Sequence, residues 1–286
     1  MTPFRSFVRS TWIGRMMLIP WRFKGAMGIA LRPAWQAAAW TFRSREHYNY
    51  SYDLQPRNLD YLAAFISVVT CVPFADTRNY VREVENDQQL KDHVVRLNTA
   101  TKERYVADPV ARFGRRLGWY AMVRAAKPRL VVETGVDKGL GSCVIAAALM
   151  RNTKEGRHGQ LIGLDINPEA GYLLAGPYDK YGKIVYGDSL ASIQAITEPV
   201  DFFIHDSDHS VEHEARELRA IDSKLSPNAL VVSDNAEHTS ELLQFAQKTG
   251  RQFLFFAEKP KNHWWPGEGI GVAFHPLQRT DRTPTI

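Results

Sequence analysis

Val131-Val132-Glu133-Thr134-Gly135-Val136-Asp137-Lys138-Gly139-Leu140-Gly141-Ser142 is the stretch on which the fold turns. An apolar run closes on an acid, breaks into a glycine turn, and leads into the small and apolar residues Ser142 to Met150, which suit a helix. Gly135 and Gly139 let backbone come close to a ligand, and the start of the following helix presents unpaired amide donors. A dinucleotide site of the GxGxxG kind seats a pyrophosphate on that helix start. Here the spacing is GxxxG, and Glu133 at the strand end would oppose a pyrophosphate but welcome a cationic ligand. An NAD-binding oxidoreductase is therefore disfavoured.

Toward the C-terminus the same texture repeats. Short β-rich runs at 129–133, 160–165, 183–187, 201–205, 229–233, 252–257 and 270–274 alternate with helical stretches, including one over Val211 to Leu225. That alternation predicts an α/β fold with a mostly parallel sheet covered on both faces. The loop from Lys259 to Gly269 contains Pro and Gly, so the last two strands are expected to pair antiparallel. Toward the N-terminus, Leu59, Leu62, Ala63, Ile66 and Val69 recur at helical spacing, as do Val81, Val84, Leu90, Val94 and Leu97. The reading is three parts: an arm over 1–50, a helical cap over 51–108, and a catalytic domain over 109–286. A further helix is expected after Asp108, with Pro109 in its first turn. Tyr48, Tyr50 and Tyr52 alternate in an extended segment suited to lining a pocket or sealing the core.

Acids stand after each of the first three strands. Asp165 closes the second strand, where a carboxylate can accept hydrogen bonds from both hydroxyls of a ribose, and Gly187-Asp188-Ser189 follows the third. Taken singly, each acid reads as a helix cap. Together with the glycine turn they form a row at the carboxyl edge of the sheet, the ligand crevice of open α/β folds, and point to an adenosine-containing ligand.

On these residues the chain resembles class I S-adenosylmethionine-dependent methyltransferases, over roughly residues 109 to 275. Glu133-Thr134-Gly135-Val136 with Gly139 and Ser142 is similar to their first motif, Asp165 to the ribose-binding acid, and Asp188 and Ser189 to the loop flanking adenine. The resemblance implies a Rossmann-like seven-stranded sheet ending in a reversed C-terminal hairpin, with the methionine moiety over the glycine turn. The N-terminal 50 residues fall outside it and form a helical extension.

Hard oxygen donors appear at two further strand ends, Asp206 in Ile204-His205-Asp206-Ser207-Asp208-His209 and the pair Asp234-Asn235. Asp206, Asp234 and the Asn235 side-chain oxygen can hold one Mg²⁺. They resemble the metal set of the catechol and caffeoyl-CoA O-methyltransferases, in which a lysine base commonly lies three residues after the first acid. This chain has His209 there, a departure that points toward sugar- and natural-product-modifying enzymes such as the macrocin O-methyltransferase group. Histidine accepts a proton at neutral pH without strong desolvation. His209 is therefore the expected base and Asp208 a group near the cofactor or orienting the base. His205, His209 and His213 invite a zinc reading, which the surrounding oxygen donors disfavour. Glu237 and His238 are candidates for acceptor contact or for plain exposure.

The expected activity is methyl transfer from S-adenosylmethionine to a hydroxyl of a small molecule, sugar or natural product, assisted by Mg²⁺. Rival readings are a metal-free enzyme using Asp206 and His209, and a nonenzymatic S-adenosylmethionine-binding scaffold docked on a membrane.

Composition bounds the remaining choices. Of 286 residues 44% are hydrophobic and 23% charged, which excludes a low-complexity or disordered chain. Cys71 and Cys143 are too few for a disulfide framework; both read as buried small hydrophobes in a reducing, cytoplasmic compartment. The net charge of +5 is uneven: residues 1–46 carry eight Lys or Arg against Glu46, a local charge of +7, leaving −2 elsewhere. Trp12, Trp21, Trp35 and Trp40 lie in the same arm. It is read as packing on the main domain or on a second subunit of a homo-oligomer, or as peripheral contact with an anionic membrane. Charges break every run long enough to span a bilayer, and no clean signal peptide is seen. Nucleic acid is not an expected partner, because the basic excess ends with the arm.

Overall fold

The computed structural model describes residues 3–46 and 50–276. They fall into two compact units: the residues up to Arg45 with Asn262–Pro266, and the rest.

The first unit is helical. It comprises α1 (Pro3–Ser10), α2 (Trp12–Met17) and the 25-residue α3 (Ile19–Arg43). The Thr11 side chain caps α2 by accepting from the Gly14 amide, and Pro20 sits in the first turn of α3, where a missing N–H removes nothing. Trp264 meets Trp40 edge to face at 5.3 Å between ring centroids.

The second unit begins with α4 (Pro56–Thr70), α5 (Phe74–Glu85) and α6 (Gln88–Ala100). Of the apolar residues noted above, Leu59, Leu62, Ala63, Ile66, Val69, Val81, Val84, Leu90 and Val94 are buried, and Leu97 is half-buried. After α7 (Arg116–Ala126) come β1 (Leu130–Thr134), α8 (Leu140–Lys154), β2 (Gln160–Asp165), β3 (Gly182–Tyr186) and α9 (Ser189–Ala195). Then follow β4 (Val200–His205), α10 (Val211–Asp222), β5 (Leu225–Asp234), α11 (Glu241–Lys248), β6 (Gln252–Ala257) and β7 (Gly269–Phe274). Among the described residues the strands make one seven-stranded sheet, ordered β3-β2-β1-β4-β5-β7-β6. The first five are parallel and β7 runs antiparallel to both β5 and β6, the reversed hairpin expected.

On one face Val132, Phe203, Val231 and Ala273 join residues of α9, α10 and α11 in a single apolar cluster. In α8, Gly141 to Met150 are all buried, which is why this helix reads as apolar all round rather than striped. It packs against α7, itself packed by α4 and α5. Strand order reverses between β1 and β4, so their carboxyl ends diverge and open a crevice.

Three local expectations are corrected. Pro109 does not start a helix. The Asp108 carboxylate accepts from the amides of Val110 and Arg112 at 3.0 and 2.8 Å, and Ala111 and Gly114 take positive φ, so the helix begins only at Arg116. Cys71 is exposed at the left-handed C-cap of α4, whereas Cys143 is buried in α8. β5 starts four residues before its expected limit, where its register against β4 shifts. Tyr48 lies outside the described residues; Tyr52 is buried. No helix among the described residues is long and apolar enough to cross a membrane.

Candidate active site

A cavity of about 660 Å³ opens at the carboxyl ends of β1, β2, β3 and β4, and all twelve residues singled out in the sequence except Gly139, Ser142 and Asp234 line it directly. Gly135, with φ +79°, donates its amide to the Leu164 carbonyl at 2.9 Å, and a side chain there would overlap the backbone of Asp206. Gly139, with φ +86°, lies against the backbone of Gly171. Glycine is thus required at both turns by dihedral and by space.

Asp165 is the staple of this side. Its Oδ2 accepts from the amides of Val136 and Asp137 at 2.8 and 2.9 Å, and its Oδ1 from Asn167 at 2.8 Å. A carboxylate has about four acceptor sites, so capacity for a ligand hydroxyl remains. Asp188 caps α9 by accepting from the Ala191 amide at 2.8 Å, while Ser189 is tied to Glu217. Ser142 donates to Glu133, which is 1% exposed. Burial, with the nearby charges of Asp234 and Asp165, outweighs Ser142 and Arg116 and pushes the Glu133 carboxyl up to about 7.

The opposite side is a cluster of charge. Arg115 forks onto both carboxylate oxygens of Asp234, which is fully buried. The same guanidinium lies 3.5 Å from Glu258 and 3.4 Å from Glu268, and Tyr52 donates to Glu258 at 2.9 Å. Arg116 approaches Asp206 at 3.8 Å. Burial pushes Glu258 up to about 7, because Arg115 offsets only part of the desolvation and of the repulsion from Asp234. Burial and the adjacent Asp234 raise the Asp206 carboxyl well above the usual range; Arg115 holds Asp234 low despite its own burial.

His209 Nε2 lies 3.7 Å from Asp206 and accepts from the Asn235 amide nitrogen at 3.2 Å. Burial lowers its pKa, with His205 and Arg115 adding to the effect against Asp234, so the imidazole is neutral at physiological pH. Asn235 Oδ1 is buried and has no hydrogen-bond partner among the described residues. Donor atoms of Asp206, His209 and Asp234 lie within 4.8 Å of one another. Asp208 accepts from the Ser210 amide at 2.9 Å ahead of α10, so the hydrogen bond that orients His209 comes from Asn235.

His205 and His213 do not join this cluster. His205 is buried and 2.7 Å from Glu217, and His213 is 3.0 Å from the same carboxylate. Burial alone would raise Glu217; hydrogen bonds led by His205 bring it down to about 2. The His238 ring stands 6.2 Å from that of His209 and is half exposed.

Sequence reading missed Arg115, Arg116, Glu217 and Glu258. Arg115-Arg116 follows the turn at Gly114, and Glu217 lies one helical turn beyond His213. Those two spacings were the available signals. Glu258, across the hairpin loop, offered none.

Residues 132–236 match a family model described as a methyltransferase domain. No curated protein matches the chain significantly in sequence. Among solved structures, the O-methyltransferase from Bacillus cereus in complex with SAH superposes with a TM-score of 0.51 at 14% identity, covering 69% of this chain and 96% of its own. The O-methyltransferase TomG from Streptomyces achromogenes, involved in tomaymycin synthesis, gives 0.49 at 15% identity, covering 66% and 90%. The chain therefore has the Rossmann-like fold of these structures, and its residues 132–236 are similar to a methyltransferase domain.

Proposed function

We propose that the crevice binds S-adenosylmethionine and transfers its methyl group to a hydroxyl oxygen, with His209 as proton acceptor. The carrying observation is that His209 and Asp206 open into the same cavity as Gly135, Glu133 and Asp165. Asp165 both holds the glycine turn and offers its remaining acceptor site to a ribose hydroxyl. The buried acid Glu133 favours a cationic donor. The acceptor oxygen attacks the methyl carbon as the carbon–sulfur bond breaks, its electron pair neutralising the sulfonium, and the hydroxyl proton passes to His209 Nε2. Asn235 donates to that nitrogen while it is neutral; turned over, the same amide presents its unpartnered Oδ1 to the new N–H. Alignment at near-attack distance supplies much of the acceleration, and a positioned base adds about 10²–10⁴-fold.

The donor set fits a hard divalent cation: Asp206 and Asp234 carboxylates and the partnerless Asn235 Oδ1 are residues that would hold Mg²⁺. When bound, such an ion lowers the pKa of the acceptor hydroxyl. One observation favours the metal-free alternative. Arg115 already neutralises Asp234, and Arg116 stands beside Asp206, so fixed positive charge occupies part of the ion's role.

The test is calorimetric titration with S-adenosylmethionine, followed by transfer to a panel of phenolic, sugar and glycoside acceptors with and without chelator. Binding with chelator-sensitive transfer supports the metal reading, and chelator-resistant transfer the arginine one. A folded protein that does not bind the methyl donor would overturn the proposal.

A further inference from the structure

The arm exposes what a folded chain ordinarily covers. None of the 25 residues of α3 is buried, although Ile, Leu, Met, Phe, Trp and Ala dominate it. Trp21 is 75% exposed, Trp35 74%, Ile29 80% and Phe42 89%, and Trp12 in α2 adds 74%. A helix this apolar around its circumference is stable when another phase or surface covers it.

The charges select the cover. Through Arg45 every charged side chain of the arm is a cation, among them Arg15, Arg22, Lys24 and Arg32, with Glu46 only at its end. A second copy would bring another arm carrying eight cations and no acid through Arg45 to pair across the contact, whereas an anionic bilayer offers both apolar depth and opposite charge. Tryptophan and arginine also suit the headgroup level, where an amphipathic ring and a long cationic stem each keep one end wet. Spanning is excluded by the charges: no helix of the described residues is long and apolar enough. We infer that α2 and α3 form a surface that lies in the interface of an anionic membrane, α3 alone covering ~37 Å at 1.5 Å per residue. This is separate from the proposed chemistry and stands whether or not the crevice transfers a methyl group.

The experiment uses the full chain and vesicles of phosphatidylcholine with or without phosphatidylglycerol. Flotation with the anionic vesicles is expected at low salt, falling as salt screens the cations. Tryptophan emission is expected to shift to the blue and to be quenched by brominated acyl chains. Arg15→Gln/Arg22→Gln/Lys24→Gln should weaken partition about 100-fold, at about fivefold per cation. Trp21→Ala/Trp35→Ala should weaken it and abolish the blue shift; circular dichroism and cooperative melting check that both variants fold. Equal partition into neutral and anionic vesicles would overturn the inference. So would absence of flotation together with dissociation of a multimer in Trp21→Ala/Trp35→Ala by light scattering, which would assign the surface to a second copy. Salt-sensitive binding without quenching by brominated lipid would also overturn it, because the aromatics would then not enter the interface.

Discussion

The two sides of the crevice are built by different means. The glycine-turn side, proposed for the nucleoside, is local: Asp165, Val136, Asp137 and Asn167 lie within about thirty residues of one another, and backbone amides donate its bonds to the Asp165 carboxylate. The chemical side is assembled over distance. Arg115 reaches Asp234 across 119 positions and Glu258 across 143, and side chains make nearly all of its bonds. The first side hangs on one carboxylate whose partners are backbone amides that no substitution removes, whereas each member of the second is the charge partner of another, so that changes there are not additive.

Asp234→Ala is the most severe break. It leaves the Arg115 charge buried without its fork, which costs about 3–5 kcal/mol of stability, and it removes an oxygen donor from the cluster. Urea denaturation and single-turnover transfer should both show the loss. Arg115→Met combined with Asp234→Leu should recover much of the stability and none of the transfer; recovery of transfer would show that the pair serves packing alone.

His209→Ala comes next. Transfer should slow by about 10²–10⁴-fold with donor affinity little changed. In the parent chain the acid limb of the rate profile should lie below the ordinary histidine value, since burial lowers the His209 pKa and protonation removes the base. An unaltered profile in the alanine variant would assign the proton to another group.

Asp165→Asn tests the other side. The amide keeps one acceptor oxygen but loses the anion that ties three backbone amides, so donor affinity should fall by about tenfold to thirtyfold, with the maximal rate nearly retained. Calorimetry beside steady-state kinetics separates the two, and a fall in rate at constant affinity would reverse the assignment of the sides.

The smallest effect is on pH. Glu133 holds its proton up to about 7 in the empty site, and a cation beside it favours release. The bound state thus carries fewer protons, and affinity should rise about fivefold to tenfold from pH 6 to pH 8. For the unliganded fold the sign is opposite: the contribution of Glu133 is full below its unfolded value of 4.5 and is lost as pH rises through about 7. Glu133→Gln should flatten both trends.

This contrast also explains what was legible in the sequence. The strands were readable because central parallel strands must be continuously apolar, and the glycine turn because Gly135 and Gly139 answer to backbone constraints within one motif. Asp206, His209, Asp234 and Asn235 were readable as strand-end residues. Arg115 was not, since its place after the Gly114 turn does not by itself distinguish a forked buried arginine from a surface one. Pro109 misled for a related reason: propensity places it in a first helical turn, but Asp108 captures the amides that such a turn would need.

The knot around Arg115 has a bearing on how the protein is made. Its members enter the chain at Tyr52, Arg115, Asp234 and Glu258, so during synthesis the first three β-strands can emerge and pair while the arginine still lacks every acidic partner. Only when β6 and Glu258 have cleared the ribosome can Tyr52 and Arg115 be satisfied together. Nascent chains arrested before residue 234 should therefore show a protease-resistant β1–β2 region and an Arg115 segment still open to cleavage, closing when arrest is moved past β7. The reversed hairpin, on this view, is the latch that times the birth of the chemical site.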